Sequence, residues 1–227
     1  VKKGHEVCLI FPENQEVEPI EGFKLHPVYF NGCTPEALPF NFPCFTTHPR
    51  SVQTFYDLTE DELEAYETAF KLALSQEVQE FQPDVIHSGH LWLLSSYSAD
   101  FGIPLVVTVH GTDLLGYQKD HGRFHDHAKH AMEAAKGVIT ISKDNNNLAC
   151  ELFPEYADKC TLILNGYNPD VFYPDPIEPT QERRDAVCQS LGLPTGFKHI
   201  VSFAGKFAHF KGIDILLRGA AEFQRDD

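Results

Sequence analysis

The sequence predicts an α/β protein built on a parallel sheet with helices over both faces. Two observations carry that reading. Short β-branched runs recur, at Asp84-Val85-Ile86-His87, at Pro104 to His110 and at Gly137-Val138-Ile139-Thr140-Ile141, with a helix-length segment after each. Strands that alternate with helices pair in parallel. The runs are also continuously apolar rather than alternating, as strands buried on both faces are. A hydrophobic content of 42%, with 12% aromatic, is enough for a packed core and excludes disorder as the overall state.

Each element follows from local signals. Val7-Cys8-Leu9-Ile10-Phe11 is an apolar run closed by Pro12, predicted to be a strand buried on both faces. Residues 12–58 are rich in Pro, Gly and aromatics, and read as loop around one strand near Leu25–Phe30. Thr59-Glu60-Asp61-Glu62 is a capping box. Leu63, Tyr66, Phe70, Leu74, Val78 and Phe81 then recur at helical spacing, so an amphipathic helix ends before Pro83. Helices are expected over Leu91–Phe101 and Asp126–Lys136, and Ser142 N-caps another. Cys160-Thr161-Leu162-Ile163-Leu164 is the last strand of the series.

Pro169, Pro174, Pro176, Pro179 and Pro194 then interrupt the pattern until a new strand at His199–Ala204. The expected organisation is a domain over 1–174, a linker over 175–198, and the first βα unit of a second domain over 199–227. Lys2-Lys3-Gly4-His5 reads as the end of a helix and Phe223–Asp227 as a break inside or just after one, so the chain is expected to be a fragment.

Composition narrows the function classes. The 227 residues carry 18 Lys+Arg against 33 Asp+Glu, a formal charge of −15. Net field alone disfavours nucleic acid and anionic membranes, and the ordinary reading of the acid excess is solubility. Six cysteines stand without a Cys-x-x-Cys pair, which excludes metal-finger and thioredoxin-like readings. No apolar stretch approaches the ~20 residues that span a bilayer. The opening residues are not a signal peptide, so a cytoplasmic location is the default expectation.

Chemistry is expected beyond the carboxyl ends of the strands. His87-Ser88-Gly89-His90 follows one strand and His110-Gly111-Thr112-Asp113 the next. A strand-end histidine bonded to its neighbours is the plainer reading for His87. His110, delivered by an apolar strand into a glycine-loosened loop, is site-like. Gly205-Lys206 through Lys211-Gly212 sets two lysines at a strand–loop–helix junction, the chemistry of a diphosphate pocket, without the P-loop ending. His121, His125, His127 and His130 form a dense run, read as a solvated helix rather than a metal site.

Taken together these strings resemble one family. Ala135 to Ser142, and Asn165-Gly166-Tyr167-Asn168-Pro169-Asp170-Val171-Phe172-Tyr173-Pro174, resemble segments of retaining GT-B glycosyltransferases of family 4. Tyr167 stands where valine is usual and Asn168 where aspartate is usual. Gly4-His5-Glu6-Val7, Pro83 to His87, His110 to Asp113 and Gly205 to Gly212 also match that family's motifs in order. The resemblance implies a Rossmann-like doubly wound parallel sheet, the GT-B N-terminal domain, followed by an incomplete donor domain.

It further implies transfer of a sugar from a nucleotide-diphosphate sugar to a carbohydrate, lipid or small-molecule acceptor, as part of carbohydrate biosynthesis. His110 matches the active-site histidine. Lys206 and Lys211, with Gly205, match the basic pair that neutralises the donor diphosphate without a metal or other cofactor. Lys206 replaces an arginine and loses its bidentate fork. His87, His90 and Asp113 are acceptor-side candidates. No nucleic acid is implied; peripheral membrane contact of the full-length protein is compatible with a lipid acceptor. The family's first strand would precede Val1 and its E-x7-E carboxylates would follow Asp227, so the piece alone is expected to be inactive.

Three other readings stand beside this one. A nucleotide-dependent oxidoreductase would need Gly-x-Gly-x-x-Gly, which does not occur. A non-catalytic sugar- or partner-binding relative would keep the fold and lose the donor carboxylates. A metal-dependent hydrolase would use the histidine run. The long aromatic loop 31–58 is where acceptor selection is expected.

Overall fold

A computed structural model describes residues 3–46, 48–119, 122–174, 180–196, 199–207 and 209–222. The chain divides into two compact units, Val1–Gly166 and Tyr167–Asp227.

The first unit opens with strand β1 (Cys8–Glu13), parallel to β2 (Lys24–Tyr29). Pro12 does not close β1: it lies inside the strand, in register with Val28, while Pro27 of β2 faces Phe11. A two-stranded sheet leaves each strand an unpaired edge, where a prolyl nitrogen costs no ladder bond. Burial on both faces is not seen either, and Leu9 is 38% exposed.

Helix α1 (Glu60–Glu80) starts where the capping box predicts. Thr59 Oγ1 accepts from the Glu62 backbone N–H at 3.2 Å, and the Glu62 carboxylate accepts from the Thr59 N–H at 2.9 Å. Its buried stripe includes Tyr66, Phe70, Ala73 and Leu74. Phe30, after β2, packs into an aromatic cluster with Phe40, Phe42, Tyr66 and Phe70. Glu77, on the same stripe, meets Lys24 Nζ at 2.7 Å and His26 Nδ1 at 2.7 Å. Burial pushes this carboxyl up, but the bonds from Lys24 and His26 outweigh it and hold it below the usual range. The loop between β2 and α1 is pinned by Arg50, whose guanidinium binds the Glu13 carboxylate through both nitrogens.

Four parallel strands then form in order β3 (Ile86–Gly89), β4 (Leu105–Val109), β5 (Gly137–Thr140) and β6 (Cys160–Leu162). The connecting helices are α2 (Leu93–Ala99), α3 (Thr112–Lys119), α4 (His125–Ala134) and α5 (Lys143–Leu152). Ser142 caps α5 by accepting from the Asn145 N–H at 3.1 Å. Leu105, Val107, Val109 and Val138 point to one face, packed on Leu91, Leu114, Ala128, Met132 and Ala149. The opposite face shows Val106, Thr108 and Ile139 only half-buried.

The second unit holds α6 (Gln181–Ser190), capped by Thr180 inside the segment expected to be linker, and α7 (Ile213–Ala221). The strand expected at His199–Ala204 is absent: the segment is irregular, and Val201 is 80% exposed. A strand is stabilised by its partner, and the described residues of this unit pair none with it.

Candidate functional site

Two loops meet at the carboxyl ends of β3 and β4. On the first, His90 adopts φ 74°, a left-handed conformation that costs a non-glycine residue about 1–2 kcal/mol. Its backbone is held there from both sides. The His90 N–H donates to Thr108 O at 2.8 Å, and its carbonyl accepts from the Trp92 N–H at 3.0 Å. The Ser95 hydroxyl donates to the same carbonyl.

On the second loop, Gly111 takes φ 93° with no β-carbon penalty. A β-carbon at Gly111 would lie 2.9 Å from Oδ1 of Asn145, so that amide closes the back of the loop. The rings of His90 and His110 stand 4.7 Å apart, centroid to centroid. Nε2 of His110 lies over Gly89, 3.8 Å from where a β-carbon there would stand. Strand alternation puts Gly89 and His87 on the same sheet face.

Asp113 joins the two loops from below. Its side chain is fully buried. Oδ1 accepts from the N–H groups of Gly111 at 2.8 Å and His110 at 3.2 Å, and Oδ2 accepts from the Leu91 N–H at 2.8 Å. Nδ1 of His90 is 3.9 Å from Oδ2, beyond hydrogen-bond reach, and has no partner among the described residues. Burial lowers the His90 pKa, the Asp113 charge opposes that, and the His110 ring adds to it; the net direction is down. Neutral imidazole is the form this produces at neutral pH, with one ring nitrogen able to accept a proton.

An aromatic wall borders the pair. Phe45 lies 5.0 Å from His90, 5.1 Å from Trp92 and 5.0 Å from Phe55, between ring centroids. The loop 31–58 thus reaches the site through Phe45. Gly116 of α3 leaves it room: a β-carbon there would stand 3.2 Å from the Phe45 ring and 2.9 Å from the Tyr56 hydroxyl.

His87 shares a 2.7 Å hydrogen bond with Thr108 Oγ1 across the strands, on the half-open sheet face. In the second unit, Gly205 and Lys206 lie in the irregular segment, Lys211 ends a short turn, and Gly212 (φ 72°) starts α7. The histidine run is divided among separate partners. His125 stacks on Tyr117 and bonds its carbonyl, His127 pairs with Ser96, and His130 meets Asp100 at 3.0 Å. His121 lies outside the described residues. No group of three or more His, Cys, Asp or Glu among the described residues is placed to hold a metal ion.

His90, His110 and Asp113 stand out in the sequence, and Phe45 and Asn145 do not. Phe45 is one of many aromatics in a loop without periodicity. Asn145 had a signal, since it is the residue whose N–H the Ser142 cap takes, but capping says nothing of where its amide points. Asp113 is turned inward to backbone N–H groups rather than outward to an acceptor.

Comparison with known proteins places this architecture. The sequence model of Glycosyltransferase Family 4 matches residues 1–171. An uncharacterised glycosyltransferase of Methanocaldococcus jannaschii is 27% identical over 234 aligned residues, covering 96% of this chain and 51% of its own length. The D-inositol 3-phosphate glycosyltransferase of Acidothermus cellulolyticus is 28% identical, covering 73% of this chain and 38% of its own. The Corynebacterium aurimucosum protein of that name is 29% identical, covering 63% and 35%. The chain spans about half, or less, of the length of these curated relatives. Among solved structures, sucrose-phosphate synthase of Thermosynechococcus elongatus matches with a TM-score of 0.55 at 15% identity, over 96% of this chain and 60% of its own. At that identity the likeness shows the fold alone, a Rossmann-like α/β arrangement of the GT-B type.

Proposed function

The chain belongs to Glycosyltransferase Family 4, and we propose that it supplies the acceptor-side half of an enzyme that moves a sugar, with retention, from a nucleotide-diphosphate sugar to an acceptor hydroxyl. The observation that carries this reading is the imidazole pair His90–His110, 4.7 Å apart at the carboxyl ends of adjacent parallel strands. That is where open α/β sheets bind ligands.

In the reaction, the bond between the anomeric carbon and the diphosphate oxygen breaks, one to the acceptor oxygen forms, and the acceptor hydroxyl passes its proton to the departing diphosphate. Negative charge grows on the departing diphosphate, so groups already placed beside it stabilise the transition state more than the ground state. We assign His110 to the donor sugar and the reacting oxygens, where its ring nitrogen hydrogen-bonds. Lys206 and Lys211 are assigned to the diphosphate, as point charges beside a helix start. His90 and Phe45 form the acceptor-side wall, an aromatic edge against the apolar face of a ring and a nitrogen for its hydroxyls. His87, bonded to Thr108, lies further along the strand face and is kept as an acceptor-side candidate. No metal is assigned a part in this scheme.

The acceptor class is a carbohydrate, lipid or small molecule carrying a hydroxyl; two of the relatives are named for D-inositol 3-phosphate, which makes polyol phosphates the first to try. In the cell this activity belongs to carbohydrate biosynthesis in the cytoplasm. Among the described residues no helix is long and apolar enough to cross a membrane.

The test is a screen of the full-length protein against nucleotide-diphosphate sugars and hydroxyl acceptors, with the anomeric configuration of the product read by NMR. Release of nucleoside diphosphate coupled to a product of unchanged configuration supports the reading. Binding of sugar without any transfer would favour the non-catalytic relative, and an inverted product would remove retention.

A further inference from the structure

A buried carboxylate is expensive unless every oxygen is satisfied. Asp113 meets that condition without a salt bridge closer than 3.9 Å, by taking three backbone N–H groups. Those donors come from two different loops. Gly111 and His110 belong to the turn that opens α3, so bonds to them alone would be an ordinary cap of a helix start. Leu91 belongs to the loop after β3, twenty-two positions earlier. Oδ1 holds one loop and Oδ2 the other.

The held backbone includes a costly position, since Leu91 directly follows His90, a non-glycine residue at φ 74°. Strained conformations persist only where the surroundings over-determine them. The partners of His90 itself come from β4 and α2. Leu91 N–H bonds to α3 through Asp113 alone.

We propose that Asp113 is a positioning residue that locks the loop after β3 to the loop after β4, setting His90 and His110 as one rigid imidazole pair. Its importance for turnover rests on the proposed sugar-transfer role of that pair; the lock itself does not. Aspartate is required by the count of acceptors. Asparagine offers one oxygen and would point its amide N–H at either Leu91 or the Gly111–His110 pair, donor against donor; the loop it repels lets go, and under the lock the other loop loosens with it.

The test is Asp113→Asn in the full-length protein, with Asp113→Glu beside it, read by residue-resolved amide hydrogen exchange and by imidazole NMR. Asp113→Asn is expected to speed exchange about tenfold or more at Leu91 and in residues 110–111 together, as loss of a buried bond does. The His90 and His110 ring signals should move together. Turnover should fall through kcat with the donor KM little changed, and Asp113→Glu should recover part of it.

Faster exchange confined to residues 110–111, with Leu91 and the His90 ring unchanged, would reduce Asp113 to a helix cap and overturn the lock. Should Asp113→Asn fail to fold, the wild-type protein decides: Leu91 and Gly111 amides that open at one common rate support the lock, and separate rates overturn it. A full exchange response without any sugar transfer by the wild type would leave the lock standing and remove the functional reading instead.

Discussion

Nε2 of His110 lies over Gly89, 3.8 Å from where a β-carbon would stand at that position. That is ordinary van der Waals contact, so Gly89→Ala is expected to fold with stability changed by no more than about 0.5–1 kcal/mol. The added methyl would nevertheless occupy the space beside the ring nitrogen. Turnover by the full-length variant should fall several-fold while Tm stays close to wild type. Equal turnover would show that nothing approaches Nε2 from that side.

Gly111→Ala meets both a steric and a conformational barrier. At φ 93° an L side chain is strained, and its β-carbon would stand 2.9 Å from Oδ1 of Asn145. The variant should lose about 1–3 kcal/mol of stability in urea unfolding. Asn145→Ala in the same background should recover only part of it, because the backbone strain remains. Full recovery would mean that the contact alone sets the cost.

Gly116→Ala sets propensity against packing. In an open helix the change would gain up to about 1 kcal/mol. Here the β-carbon would stand 2.9 Å from the Tyr56 hydroxyl and 3.2 Å from the Phe45 ring. The packing effect should win, with lower stability and a displaced Phe45 loop, visible as faster exchange in residues 44–56. Tyr56→Phe in that background should relieve the closest contact. A more stable Gly116→Ala protein would show that the loop yields freely.

Stability should fall as pH drops below about 6.5. His90 and His127 both have folded pKa values below the ordinary histidine value, in each case chiefly because burial disfavours the charged ring. Between the folded and unfolded pKa the unfolded chain binds more protons, so stability is present above the unfolded value and is lost on acidification toward the folded one. Urea midpoints measured from pH 7.5 to 5.5 should decline, and His127→Asn should flatten part of the slope. A midpoint that holds constant or rises over that range would contradict the assignment.

How much of this was readable in the sequence depends on whether the signal was local. Thr59 and Ser142 cap their helices because a cap needs only a side chain and an N–H three residues on. Strands β4 and β5 follow from β-branched runs, whereas β3 runs two residues later than the expected Asp84–His87, over Ile86–Gly89, with Val85 left exposed. Helix α3 is not legible because Gly111 precedes it and Gly116 interrupts its short apolar stripe, the two glycines serving contacts with Asn145 and Phe45. The segment 199–204 has strand composition but no described partner, and composition alone does not make a strand. At the site, His110 was legible from the strand that delivers it. The inward turn of Asp113 was not, since it depends on a backbone N–H twenty-two residues away.

The most direct measurement is the turnover of nucleotide-diphosphate sugar by the full-length protein with His110→Ala against wild type. Wild type should transfer sugar, and the variant should fold normally and be slower by roughly 100-fold or more, the usual scale for a hydrogen-bonding group beside the reacting atoms. Turnover by the variant at the wild-type rate would take His110 out of the site and contradict its role beside the reacting oxygens.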